Sequence, residues 1–129
     1  MIEPVKSTAQ RREVVNRNTL VNRLLGDGYN AFLPVFDAGI DLIAHRETDQ
    51  KLFLVQLKSR WTIGAKYVGR DIHIAFPDRE DWFMAPHDEM VRIAEQIGYT
   101  QSASWQEGGF YHQHPMVVKL RAAMLLYRL

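Results

Sequence analysis

The order of apolar segments along this chain predicts an α/β or α+β sandwich, with helices covering a sheet. Three observations lead to it. A helical stripe opens the chain, a meander of short strands separated by turns follows, and helical spacing returns over the last third. The chain has 129 residues, about the size of one domain, and we expect a single domain over residues 1–129. With 47% hydrophobic and 24% charged residues, its composition excludes a disordered or fibrous chain.

Each element has its own signal. Ser7-Thr8-Ala9-Gln10 has the spacing of a capping box, which predicts a helix start. Val14, Val21, Leu24 and Leu25 then recur at helical spacing, Leu20 widens the stripe, and Asp27-Gly28 ends it, because glycine takes the left-handed conformation of a helix cap without penalty. Ala31 to Phe36 reads as a strand, Asp37-Ala38-Gly39 as a turn, and Ile40 to His45 as a second strand. The polar segment Arg46 to Gln50 makes a hairpin loop, and Leu52 to Ser59 is apolar enough to lie inside the sheet. Arg60 to Arg70 has no regular pattern. Asp71 to Phe76 alternates as a strand, Pro77-Asp78 turns, and Trp82 to Ala85 forms a last short strand. Met90, Ala94 and Ile97 share one face of a helix over Asp88 to Ile97. A long polar connection runs from Gly98 to His114, and a terminal helix begins near Pro115 with Met116, Leu120, Met124 and Tyr127 on one side.

Charge and cysteine content limit the function classes. Sixteen Lys plus Arg against fifteen Asp plus Glu leave a net charge of +1, so any basic surface must come from arrangement. The chain has no cysteine, which removes disulfides, thiolate nucleophiles and cysteine zinc sites. Its apolar runs fall short of a membrane helix and its first residues lack a signal-peptide core, so a cytoplasmic location with no membrane partner is expected.

The chemistry concentrates in Gly39-Ile40-Asp41-Leu42-Ile43-Ala44 and in Leu54-Val55-Gln56-Leu57-Lys58-Ser59. Strand side chains alternate faces, so Gln56 and Lys58 point one way while Val55 and Leu57 point into packing. If the two strands pair, Asp41 stands opposite that polar pair. Burying a carboxylate, an amide oxygen and an ammonium together costs several kcal/mol unless something compensates. A hard divalent cation would do so, with Asp41, the Gln56 side-chain oxygen and the Leu57 carbonyl as oxygen ligands, and Lys58 beside a bound water or phosphate. Glu13 lies two helical turns before Leu20, on the same stripe, and is a candidate to reach toward Asp41.

These residues resemble the PD-(D/E)XK nuclease superfamily, which includes restriction endonucleases, archaeal Holliday junction resolvases and some homing endonucleases. The resemblance runs from about Glu13 to Ser59. It matches Asp41 to the metal-binding Asp, Gln56 to the usual Glu or Asp, Lys58 to the catalytic Lys and Glu13 to the helix Glu of many members. Gln stands at the second position in some resolvase-like and homing nucleases as well. The resemblance implies a restriction endonuclease-like α/β core, with a mixed central sheet flanked by helices. It implies a Mg²⁺- or Mn²⁺-dependent endonuclease acting on nucleic acid, with DNA as the expected substrate. One metal ion is expected, and a homodimer, since one site needs a second copy to cut both strands. The same residues leave open a second reading, a non-catalytic module of this fold that binds nucleic acid or a protein.

A polyanion partner is expected on a second ground. Between Lys58 and Arg70 every charged residue is basic (Lys58, Arg60, Lys66, Arg70), with Trp61 and Tyr67 interleaved as candidates to stack on bases. Arg11, Arg12, Arg17 and Arg23 on the first helix add to this charge. Asp78, Glu80 and Asp81 read as a solvated turn, and His87, His112 and His114 lack the spacing of a metal site.

Overall fold

The computed structural model describes residues 8–129. The capping box begins at Ser7 and so lies partly outside the described residues. Helix α1, Thr8–Gly26, is followed by strands β1 (Tyr29–Phe32), β2 (Leu42–Arg46), β3 (Lys51–Leu57) and β4 (Trp61–Gly64). Strands β5 (His73–Asp78) and β6 (Asp81–Pro86) lead into α2 (His87–Ile97) and α3 (Ala103–Gly108). Strand β7 (Phe110–Gln113) and α4 (Val118–Met124) complete the chain.

Five strands form the central sheet in the order β1-β2-β3-β5-β6. Only the β3–β5 pair is parallel; the others are antiparallel, so the sheet is mixed. A parallel neighbour needs a crossover, and the segment between β3 and β5 supplies it, carrying β4 on the way. Strand β4 pairs with β7 in a second, two-stranded sheet.

Each face of the central sheet has its own core. On one side Leu20 and Leu24 of α1 pack on Leu42, Ala44, Phe53, Val55, Ala75 and Met84. On the other, Ile74, Phe76, Phe83 and Ala85 meet α2, α4 and the second sheet through Met90, Ile93, Leu120, Met124, Trp61 and Ile63. This is a mixed α/β fold with helices on both faces, as expected. Among the described residues no helix is long and apolar enough to cross a membrane.

Several boundaries differ from expectation. The first strand is shorter and earlier than Ala31 to Phe36. The segment from Leu33 to Ile40 is a loop, with Val35 and Phe36 exposed. The buried residues of the α1 stripe, Leu20 and Leu24, lie in its second half, whereas Val14 and Leu25 are exposed. The segments expected to be irregular, Arg60 to Arg70 and Gly98 to His114, contain β4, α3 and β7. Their pairing joins residues about fifty apart, and four-residue strands at that separation carry no local signal. The turn expected at Pro77-Asp78 falls later, at Arg79-Glu80, because Asp78 still pairs with Asp81.

Candidate active site

The first half of α1 has left the core but stays close to the ends of β2 and β3. Between them lies an open cavity of about 480 Å³, lined by Arg12, Glu13, Arg17, Asp37, Asp41, Gln56, Leu57 and Lys58 among others. The structure thus brings together the candidates drawn from the helix, the strand preceding the hairpin and the strand after it.

Asp41 sits just before β2, at the point where that strand meets β3. Its N–H donates to the Val55 carbonyl at 2.9 Å, and its Oδ2 accepts the Leu57 N–H at 2.7 Å. The two bonds fix the carboxylate across from Gln56. Burial raises the Asp41 pKa above the ordinary value. The Leu57 N–H opposes this, the neighbouring Asp37 carboxyl raises the pKa further, and the Lys58 charge lowers it.

Gln56 carries the plainest anomaly. Its Oε1 is buried and accepts no hydrogen bond from any described residue. A buried acceptor without a partner costs about 1–3 kcal/mol. Trp61 Nε1 and His73 Nδ1 are unpartnered too among the described residues, but Gln56 Oε1 belongs to a residue that lines the open cavity. Lys58 follows at the end of the strand, its N–H donating to the Ala75 carbonyl at 2.9 Å, which pins the backbone to β5. No ion pair within 4.0 Å joins Lys58 to Asp41 or to any other described carboxylate. The site holds its opposite charges apart.

Glu13 is exposed, yet it lines the cavity opposite Asp41. Its position beyond the buried half of α1 explains both facts. Sequence reading missed Asp37, which lines the same cavity. Its Oδ1 accepts the Gly39 N–H at 3.0 Å, the ordinary behaviour of Asp in a turn, and that was the only signal it carried. The loop folds it back beside Asp41, and only the tertiary structure reveals the pair.

Two expectations about the basic segment require correction. Trp61 is inaccessible and Tyr67 is only 5% exposed, so neither ring can stack on a base. Trp61 belongs to β4 and packs in the core against Tyr99 and Tyr111, edge to face. The cations differ: Arg60, Lys66 and Arg70 are exposed, and none pairs with a described carboxylate. Arg12 and Arg17 lie at the cavity rim.

Outside the cavity, Asp78 also departs from expectation. It is 1% exposed, not solvated, because Arg121 of α4 reaches it at 2.6 Å and the Met116 N–H donates to it at 2.9 Å. Arg121 bonds Asp81 as well. His87 is inaccessible and accepts the Gly64 N–H through Nε2 at 3.0 Å. It joins no metal cluster with His112 or His114; among the described residues no three His or acidic side chains converge on one point.

No family model and no curated protein matches the sequence. Among solved structures the fold is similar to that of a bacterial homing endonuclease, I-Ssp6803I, with a TM-score of 0.50 and 17% sequence identity. The alignment covers 80% of this chain and 72% of that one. At this identity the likeness is one of fold: a mixed α/β architecture similar to that of an endonuclease.

Proposed function

We propose that this chain is a divalent-metal-dependent nuclease of the PD-(D/E)XK class, hydrolysing phosphodiester bonds in DNA. The observation that carries the reading is the buried, partnerless Gln56 Oε1 in the cavity that Asp41 and Lys58 also line. An acceptor without a donor, beside an Asp41 carboxyl whose proton affinity is raised by burial and then by Asp37, fits a hard cation that takes oxygen ligands. The similar fold of a homing endonuclease supports the same reading.

Asp41, Gln56 and the Leu57 carbonyl would hold Mg²⁺ or Mn²⁺, with Glu13 and Asp37 as further carboxylates on the cavity wall. When bound, such an ion polarises the phosphate and favours ionisation of the attacking water. The remaining work falls to the protein's own groups. Lys58 places a positive charge where the phosphorane-like transition state gains negative charge. Arg12 and Arg17 at the rim neutralise flanking phosphates, and Arg60, Lys66 and Arg70 extend that contact. These contacts fix the strand without reading its bases. A second copy of the chain would serve the second strand of a duplex.

A purely binding module would be expected to close the site with a Lys58–Asp41 ion pair, and that pair is not formed. Incubation of the purified protein with duplex, junction, flap and single-stranded DNA, with Mn²⁺ or with EDTA, tests the proposal. Cleavage with Mn²⁺ that EDTA abolishes is the expected result. Intact substrates throughout, with DNA still bound, would overturn it in favour of the binding module.

A further inference from the structure

Tyr67 was expected to stack on nucleic acid, and its burial removes that role without supplying another. The surroundings of its ring supply one. The Lys58 Nζ lies over the ring, 5.3 Å from its centre, and the Lys66 Nζ lies 5.1 Å from the same centre. An aromatic face attracts an ammonium through its quadrupole at this separation, most strongly where water is thinned.

The ring itself is tightly held. The His87 imidazole meets it edge to face at 5.4 Å. His87 accepts the Gly64 N–H at 3.0 Å, and its Nδ1 lies 3.1 Å from Asp88 Oδ1. Asp88 Oδ2 in turn accepts the Gly69 N–H at 2.9 Å, so both ends of the segment that carries Tyr67 are tied to the start of α2. Gly64 passes so close that a Cβ there would sit 3.1 Å from Tyr67 Cδ2, so any side chain would press on the ring. A half-buried lysine above a braced ring is a positioned lysine.

We infer that Tyr67 is a positioning residue, a platform whose ring face holds the Lys58 ammonium at the mouth of the Asp41–Gln56 cavity. This rests on the reading of Lys58 as the charge that faces the scissile phosphate. A lysine has four rotatable side-chain bonds, and its charge is of use to a transition state only if it stands in one place. Tyr67 itself touches neither metal nor substrate. Lys66 comes from the turn that carries Tyr67 and shares the ring, so it serves as a control.

The test uses the full chain and has one readout that does not depend on catalysis. Protons held over a ring face resonate upfield. The Lys58 ε-methylene signals are expected upfield of those of exposed Lys119, to remain so in Tyr67→Phe and Lys66→Ala, and to lose the displacement in Tyr67→Leu. In DNA cleavage with Mn²⁺, kcat is expected to fall about 10-fold in Tyr67→Leu with KM nearly unchanged, the scale of one cation–π interaction, and to return in Tyr67→Phe. If Tyr67→Leu does not fold, nuclear Overhauser effects between the Lys58 methylenes and the Tyr67 ring in the unaltered protein carry the same test. Lys58 signals identical in the unaltered protein and Tyr67→Leu, or the absence of those Overhauser effects, would overturn the platform and leave the nuclease reading standing. A protein that shows the displacement but cuts nothing supports the platform and overturns the nuclease reading.

Discussion

Two acidic clusters in this protein have opposite electrostatic outcomes. At Asp78 and Asp81 the carboxylates are met by Arg121 and by the Met116 N–H, and Asp78 is fully enclosed. At Asp37 and Asp41 the carboxylates lie together on the wall of an open cavity, Lys58 stands off, and the Gln56 Oε1 beside them has no donor. The first arrangement is complete as it stands and ties the β5–β6 hairpin to α4. The second leaves the Gln56 acceptor open, and that is where the proposed cation would bind. Buried polar groups that find all their partners brace a fold, whereas an unpartnered acceptor on a cavity wall is open to a ligand.

The strongest effect is expected where the complete cluster is broken. Arg121→Ala leaves Asp78 enclosed without its partner, and removing one member of a buried pair costs about 3–5 kcal/mol. A urea midpoint lowered accordingly, with metal binding at the other cluster unchanged in the folded protein, is the expected result. A loss under about 1 kcal/mol would mean that water replaces Arg121 readily.

Lys58→Ala should do the reverse. Cleavage is expected to fall by about 10² or more while the melting temperature barely moves, because the side chain stabilises charge that appears only during reaction. Equal loss of activity and stability would make Lys58 a structural residue.

Acid should weaken the fold through two histidines, the buried His87 and the part-buried His73. Burial lowers the His73 pKa to about 4, and that of His87 is also lowered by burial. A histidine whose pKa lies below its unfolded value is neutral in the fold, so its contribution is complete above pH ~6.5 and is lost as the pH falls toward the folded value. Unfolding free energies from urea denaturation between pH 7 and pH 4 should decline by up to roughly 1.4 kcal/mol per pH unit for each such group. His73→Phe, which keeps a ring against Phe53, should flatten part of that decline.

The mildest effect belongs to the exposed cations. Replacing Arg60, Lys66 or Arg70 with Ala should weaken DNA binding alike on all sequences and lower the salt slope by about one unit for each phosphate no longer neutralised. An unchanged slope would remove that residue from the interface.

The two clusters also differ in how far the sequence foretold them. Asp41, Gln56 and Lys58 were legible because strand alternation places them on one face and the hairpin loop between the strands is short. Glu13 was expected to face inward on the α1 stripe but is exposed, because only Leu20 and Leu24 of that helix are buried; it lines the cavity from beyond the core. Asp37 was not legible, since a turn aspartate beside a glycine has a sufficient local explanation, and its nearness to Asp41 depends on the path of a loop. Asp78 was misread for the same reason: Arg121 approaches from a helix more than forty residues later. The misreading of Trp61 and Tyr67 has a different cause. Interleaved with basic residues, they had the composition of a nucleic-acid surface, but β4 pairs with β7 and both rings turn inward. Local pattern reports periodicity, and burial is decided by partners distant in sequence.

Calorimetric titration with Mn²⁺, at matched pH and ionic strength, decides whether the incomplete cluster is a cation site. The unaltered protein is expected to bind one ion. Gln56→Glu keeps nearly the same length and adds a negative charge, so it should bind more tightly, while Asp41→Asn should bind far more weakly. No detectable Mn²⁺ binding by either the unaltered protein or Gln56→Glu would contradict the cation site and the nuclease mechanism built on it.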